Sequence, residues 1–127
     1  MDNPAKKRIL IVDDTKSNLM VLYGILNKEY SLLMARSGLE AIERANLYTP
    51  DLILLDILMP EMDGYTVIAA LKSFEKTKNI PVVFITGLCD PEEKKKGLSL
   101  GAVDYIYKPF SPEDVKRRVQ GYLGYAP

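Results

Sequence analysis

Leu52-Ile53-Leu54-Leu55-Asp56-Ile57-Leu58-Met59-Pro60-Glu61-Met62-Asp63-Gly64 begins with four aliphatic residues, meets a carboxylate, and passes through a proline-bearing loop that closes on Asp-Gly. A short unbroken apolar run reads as a strand buried on both faces, since a half-buried strand would alternate with polar residues. Behind the loop, Val67, Ile68 and Leu71 recur at helical spacing, and Asp63 stands where a helix cap belongs. The unit is strand, loop, helix, with Asp56 where the strand gives way to the loop.

The same unit recurs in both directions. Apolar runs occupy residues 9–12, 32–35, 82–85 and 103–107, the last interrupted by Asp104. Leu19, Leu22, Ile25 and Leu26 form one helical stripe, and Ser37 with Glu40 is a capping box ahead of Ala41, Ile42 and Ala45. Asp90-Pro91-Glu92-Glu93 offers a cap, a proline at the first helical position and an acidic first turn. Ser111-Pro112-Glu113-Asp114 repeats that device before Val115, Val119, Tyr122 and Leu123. Five strands alternating with five helices predict an α/β fold, a parallel sheet covered on both sides and built from right-handed crossovers. The fourth helix, over residues 91–100, differs from the rest. It carries Lys94, Lys95 and Lys96 and few apolar residues, so it reads either as a solvated surface helix or as a segment that shifts when the site changes state.

Composition narrows the chemistry. The 127 residues suit one domain, with its core over about residues 8–123 and no effector domain, either standing alone or excised from a larger protein. Seventeen basic residues balance seventeen acidic ones, which argues against direct nucleic-acid binding or attraction to an anionic membrane. A single cysteine, Cys89, excludes an internal disulfide and reads as an inert free thiol in a reducing compartment. There is no signal-peptide pattern and no apolar stretch near the ~20 residues that cross a bilayer, so a cytoplasmic location is expected. Histidine is absent, which removes His-based metal sites, Ser–His and Cys–His pairs, and a phosphohistidine on this chain.

In an open parallel α/β sheet, ligands bind beyond the carboxyl ends of the strands. Here strand one ends in Asp13-Asp14, strand three in Asp56, strand four in Thr86, and strand five just before Lys108-Pro109. Singly, each has an ordinary explanation as a cap, a β-branched strand residue or a loop lysine. Jointly, they put three carboxylates, a hydroxyl and an ammonium on one edge. Crowded carboxylates repel, and a hard divalent cation with oxygen ligands relieves that repulsion, which points to Mg²⁺. A phosphoryl group on Asp56 would then lie beside the metal, with Lys108 neutralising charge and Thr86 donating a hydrogen bond.

Carried by Ile11-Val12-Asp13-Asp14, Asp56-Ile57-Leu58-Met59-Pro60-Glu61-Met62-Asp63-Gly64, Ile85-Thr86-Gly87, Gly101-Ala102-Val103-Asp104-Tyr105 and Lys108-Pro109-Phe110, the sequence resembles the receiver domain of two-component response regulators from about residue 8 to 123. The resemblance implies a flavodoxin-like, doubly wound five-stranded sheet of order 2-1-3-4-5. It also implies that Asp56 takes a phosphoryl group from the phosphohistidine of a sensor kinase or histidine phosphotransfer protein. Asp13, Asp14, Asp56 and the backbone carbonyl of Leu58 would hold Mg²⁺. Thr86 would reorient toward the phosphoryl group, Tyr105 would move inward, Lys108 would pair with phosphoryl oxygens, and Lys108–Pro109 would be a cis peptide. The fourth helix, fifth strand and fifth helix would present the output surface to a downstream effector, with homodimerisation on activation left open. Gly87 stands where the family usually has a small residue, often alanine, so a looser backbone is expected there. Leu58 and Leu88, both apolar, stand where the family varies and where water reaches the acyl phosphate, so slow self-dephosphorylation is expected.

Two other functions compete. An aspartyl-phosphate phosphohydrolase would carry a second acid two residues after its nucleophile, where this chain has Leu58, so enzymatic turnover of phosphate esters is not expected. A phosphorylation-independent interaction module would keep the fold without needing Asp13, Asp14, Asp56, Thr86 and Lys108 together. Nucleotide binding is disfavoured, because no Gly-rich phosphate loop follows the first strand.

Overall fold

A computed structural model describes residues 6–88 and 90–124, so Cys89 lies outside the described residues. Five strands, β1 (Arg8–Val12), β2 (Ser31–Ala35), β3 (Leu52–Leu55), β4 (Val82–Thr86) and β5 (Asp104–Tyr107), alternate with five helices, α1 (Lys16–Leu26), α2 (Gly38–Tyr48), α3 (Gly64–Ser73), α4 (Pro91–Ser99) and α5 (Pro112–Leu123). All pairings are parallel, in the order β2-β1-β3-β4-β5. The order reverses direction at β1 and β3, so their carboxyl ends open onto a common crevice.

The sheet divides two cores. Ile9, Ile11, Leu54 and Ile85 point to one face and pack with Leu19, Leu22 and Leu26 of α1 and Val115 and Val119 of α5. Leu10, Val12, Ile53, Leu55 and Phe84 point to the other, against Ala41 and Ala45 of α2 and Val67, Ile68 and Leu71 of α3. Central strands buried from both sides account for the unbroken apolar runs of β1, β3 and β4. β2 departs from that expectation. It lies at the sheet edge, only partly covered, and Met34 is 39% exposed.

Helix ends follow local chemistry. Ser37, Asp63, Asp90 and Ser111 each accept a backbone N–H from the first turn of α2, α3, α4 and α5, contacts worth about 1 kcal/mol apiece. The capping box at Ser37 is shifted on its return side: Glu40 Oε1 accepts from the Arg36 N–H at 3.0 Å rather than from Ser37. Asp104, which interrupts the fifth apolar run, is explained by its partner. Arg118 of α5 donates to both Asp104 oxygens at 2.8 and 2.9 Å and ties the last helix to the edge strand. α4 buries only Gly97, in keeping with the thin apolar content of residues 91–100. No described helix is long and apolar enough to cross a membrane.

Candidate functional site: an acidic crevice at the strand ends

β1 delivers Asp13 and Asp14 past its last residue, and the backbone ladder continues far enough to fix them: Asp13 N–H donates to Ala35 O at 3.1 Å, and Asp56 N–H to Val12 O at 3.0 Å. Thr86 closes β4, and Lys108 N–H donates to Thr86 O at 2.9 Å, which holds the lysine beside the same edge. Asp13, Asp14 and Asp56 each offer a carboxylate oxygen, and the three oxygens lie within 4.8 Å of one another. Lys108 Nζ reaches in from just past the end of β5, 3.1 Å from Asp13 Oδ2 and 3.5 Å from Asp56 Oδ2.

Burial sets the electrostatics. Asp13 is 2% and Asp56 5% exposed. Desolvation is the main cause that pushes the Asp56 carboxyl up from 3.8 to about 6, and the charge of Asp13 adds to it; Lys108 and the Leu58 backbone N–H oppose the shift, and Asp14 raises it slightly. Buried charge of one sign, only partly neutralised by one ammonium, is the condition that a hard cation with oxygen ligands relieves. The donor set fits a divalent ion of the Mg²⁺ class: carboxylate oxygens, no nitrogen, no sulfur.

Thr86 is fully buried, and its Oγ1 accepts the Leu88 N–H at 3.0 Å. The Leu58 side chain is 60% exposed at the mouth of the crevice, whereas Leu88 packs partly into the core. The Lys108–Pro109 peptide is cis. Tyr105 is already inside in this structure. Its ring is 2% exposed, stacked at a tilt against Phe84 with centroids 5.4 Å apart, and its hydroxyl donates to Glu93 O at 3.0 Å.

Several residues near this site were not singled out from the sequence. Tyr65 of α3 donates its hydroxyl to the Glu93 carboxylate, with Glu93 O 3.2 Å away, and Lys96 Nζ sits 4.3 Å from the Tyr65 ring centroid. Burial, then the bond to Glu93, pushes the Tyr65 hydroxyl well above its ordinary value. Gly97 faces Tyr105 so closely that a Cβ there would overlap its hydroxyl. Asn18 of α1 donates to Asp13 Oδ2 at 3.2 Å. The only sequence signal for Asn18 is a poor helix former in the first turn of a largely aliphatic helix.

The family model for the response regulator receiver domain matches residues 9–120. This chain belongs to that family. It is a receiver domain of two-component signalling. The receiver is 45% identical over 123 residues to a probable cyclic di-GMP phosphodiesterase of Vibrio cholerae serotype O1, covering 97% of this chain and 28% of that protein. It spans 48% of a probable transcriptional regulator of Cyanophora paradoxa that it also resembles, so less than half of either relative is represented. Among solved structures, chemotaxis protein CheY4 of Vibrio cholerae superposes with a TM-score of 0.88 at 30% identity, covering 92% of this chain and 98% of that one. The receiver domain of a sensor histidine kinase from Pseudomonas aeruginosa PAO1, described with a magnesium ion coordinated in its active-site cleft, gives a TM-score of 0.85 at 26% identity, covering 94% and 98%. The crevice of the receiver is an acidic pocket of the kind that accepts a metal and a phosphoryl group. Such domains work between histidine kinases and effectors.

Proposed function

We propose that Asp56 is the phosphoacceptor of this receiver and that Asp13, Asp14, Asp56 and the Leu58 carbonyl hold Mg²⁺. Convergence of three carboxylates, two of which also meet the Lys108 ammonium, is the single observation that carries this. A bound Mg²⁺ would offset negative charge on the carboxylates and the transferred group. The chain's own part is positional. Asp56 is held by its backbone bond to Val12, so its carboxylate oxygen can form a P–O bond as the donor's P–N bond breaks. Lys108 then exchanges Asp13 and Asp56 for a phosphoryl oxygen, and the Thr86 hydroxyl gives up its place under Leu88 N–H to donate to another.

Phosphorylation adds between one and two negative charges at one point. Reversing a strongly biased two-state equilibrium requires about 5.5 kcal/mol of differential interaction. Two charge-assisted hydrogen bonds at about 1.5–3 kcal/mol each, from Lys108 and Thr86, are of that order. The responding surface is α4, β5 and α5, where α4 is held by little buried area and by the tyrosine hydroxyls on Glu93. The donor is a sensor kinase or histidine phosphotransfer protein, and the recipient is an effector domain or protein that reads that surface. Turnover of phosphate esters is not part of this function, because no acid stands at Leu58.

Incubation with acetyl phosphate and Mg²⁺ is expected to give one acid-stable, base-labile phosphoryl group, which reductive trapping and mass spectrometry place on Asp56. EDTA is expected to prevent its formation. Label on another residue, or undiminished label in EDTA, overturns the assignment.

Lifetime tests the two apolar neighbours. Exposed Leu58 and half-buried Leu88 offer no acid or amide to orient an attacking water. Leu88→Glu and Leu58→Asn are therefore expected to shorten the phosphoryl lifetime severalfold relative to wild type, by orienting an attacking water, an effect smaller than full general-base catalysis at about 100-fold or more. A wild type that dephosphorylates faster than both variants ends the idea.

A further inference from the structure

We infer that Asn18 is a positioning residue for the metal site, fixing the Asp13 carboxylate in the orientation that Mg²⁺ requires. The inference rests on the metal-binding role proposed above and adds a residue to it. The start of α1 is unusual. Thr15 at its N-cap makes no side-chain cap bond, and the first turn carries no acidic residue, the ordinary complement to a helix N-terminus. Asp13 takes that place from outside the helix. The Thr15 backbone N–H donates to Asp13 Oδ1 at 2.9 Å, and the Asn18 side-chain amide donates to Asp13 Oδ2 at 3.2 Å. One donor on each oxygen fixes the rotation of the carboxylate. A carboxylate has about four lone-pair positions, so this arrangement still leaves positions for a cation.

Lys108 also reaches Asp13 Oδ2, at 3.1 Å, but the two donors are not equivalent. In the proposed function Lys108 turns to the phosphoryl group, whereas Asn18, on a helix whose Leu19, Leu22 and Leu26 are buried in the core, has no comparable reason to move. After that exchange Asn18 is the side-chain donor that remains on Oδ2. Asn18 also borders the cleft of about 410 Å³ lined with Lys108, Pro109 and Phe110. Asparagine is a weak helix former, and alanine or leucine at this position would suit α1 better on propensity alone. Partners that orient a metal-binding group typically contribute about 10–100-fold to metal affinity or activity.

The test is calorimetric titration of Mg²⁺ into the full chain, comparing wild type with Asn18→Ala and Asn18→Leu, alongside the thermal midpoint of each protein in EDTA. Both variants are expected to bind Mg²⁺ about tenfold more weakly, with metal-free midpoints equal to or above that of wild type. Leucine matches asparagine closely in size, so its agreement with alanine assigns the loss to the amide rather than to a void. Affinity within twofold of wild type overturns the inference. So does weakened affinity accompanied by a lowered metal-free midpoint in both variants, which would make Asn18 a structural residue. The wild-type titration stands as a separate arm: if wild type itself binds no Mg²⁺, the metal-site proposal fails, and the role of Asn18 falls with it.

Discussion

Asp56→Asn is expected to abolish the Mg²⁺-dependent acyl phosphate and, in metal-free buffer at pH 7, to make the protein more stable than wild type by up to about 3 kcal/mol. Loss of label follows from chemistry, because a side-chain amide of the same shape cannot form the acyl phosphate. The gain in stability follows from burial. Desolvation, with the charge of Asp13 second, raises the Asp56 carboxyl from 3.8 to about 6 in the folded protein, while the unfolded chain titrates near the ordinary value. Between those two values the folded state binds the extra proton. The wild type therefore loses stability as pH rises from about 4 to about 6, and the loss persists above that window. A rise of that size, which already includes the opposing attraction of Lys108 Nζ at 3.5 Å, corresponds to about 3 kcal/mol, an upper figure, because the amide of the variant is itself a polar group that must be buried. Urea unfolding in EDTA at pH 4, 5, 6 and 7 measures the effect as the difference between the two proteins. That difference cancels other carboxylates such as Glu40, whose value is lowered by the Arg36 backbone N–H and by Arg44 and whose contribution runs the opposite way. Adding Mg²⁺ at pH 7 should stabilise wild type and leave the variant nearly unmoved. A difference that shrinks between pH 4 and pH 6 contradicts the prediction.

The contrast between what stabilises this fold and what it is for explains which parts were legible in the sequence. Strands and helix starts are written locally. Four or five aliphatic residues in a row can be buried only inside a two-sided sheet, and Ser37, Asp63, Asp90 and Ser111 meet N–H groups two or three residues away. Asp13, Asp14, Asp56, Thr86 and Lys108 were legible for a related reason: each directly follows or closes an apolar run, and parallel topology sends all those ends to one edge. The edge exposure of β2 was not legible in its own apolar run, which looks like those of the central strands; only the pairing order 2-1-3-4-5 that the resemblance implies distinguishes them. Asn18, Tyr65 and Gly97, and the bonds of the tyrosines to Glu93, were missed for another reason. Tyr65 and Tyr105 meet at the Glu93 carbonyl from elements 28 and 12 residues away, a convergence that depends on how α3, α4 and β5 pack rather than on any neighbouring residue. An inward Tyr105 likewise depends on a glycine eight positions earlier, on another element, and nothing in its own strand announces that.

Gly64→Ala is expected to cost about 3 kcal/mol or more of stability and to slow phosphorylation of Asp56 about a hundredfold, whereas Gly97→Ala, the tighter contact by distance, is expected to cost less, about 2 kcal/mol. The difference lies in what the new methyl group meets. At Gly64 a Cβ would stand 2.6 Å from the Asp56 carbonyl oxygen and 2.8 Å from Ile57 Cα. Both are backbone atoms, and they cannot withdraw: Gly64 N–H is bonded to Ile57 O at 2.8 Å, and Asp56 N–H to Val12 O at 3.0 Å. Relief has to come from shifting the start of α3 or the end of β3, and the second displaces Asp56, the proposed phosphoacceptor, where a misplacement of about 1 Å is enough for a hundredfold loss of rate. At Gly97 a Cβ would overlap the Tyr105 hydroxyl and stand 2.8 and 2.9 Å from ring carbons of Tyr105 and Phe84. A tyrosine ring near a sheet edge can rotate out of the way. The lost bond to Glu93 O is then offset by the better helix propensity of alanine, about 1 kcal/mol, which leaves the exposure of the buried ring, about 2 kcal/mol, as the net cost. Urea midpoints separate the two variants, acetyl-phosphate labelling rates follow the phosphoacceptor, and the NMR shifts of the Tyr105 ring report its position. Gly97→Ala should move those ring signals to solvent-exposed values while lowering the midpoint less than Gly64→Ala does. Gly64→Ala should lower both midpoint and rate, and a Gly64→Ala protein as stable and as rapidly labelled as wild type would show that the β3–α3 junction is more compliant than its backbone contacts allow.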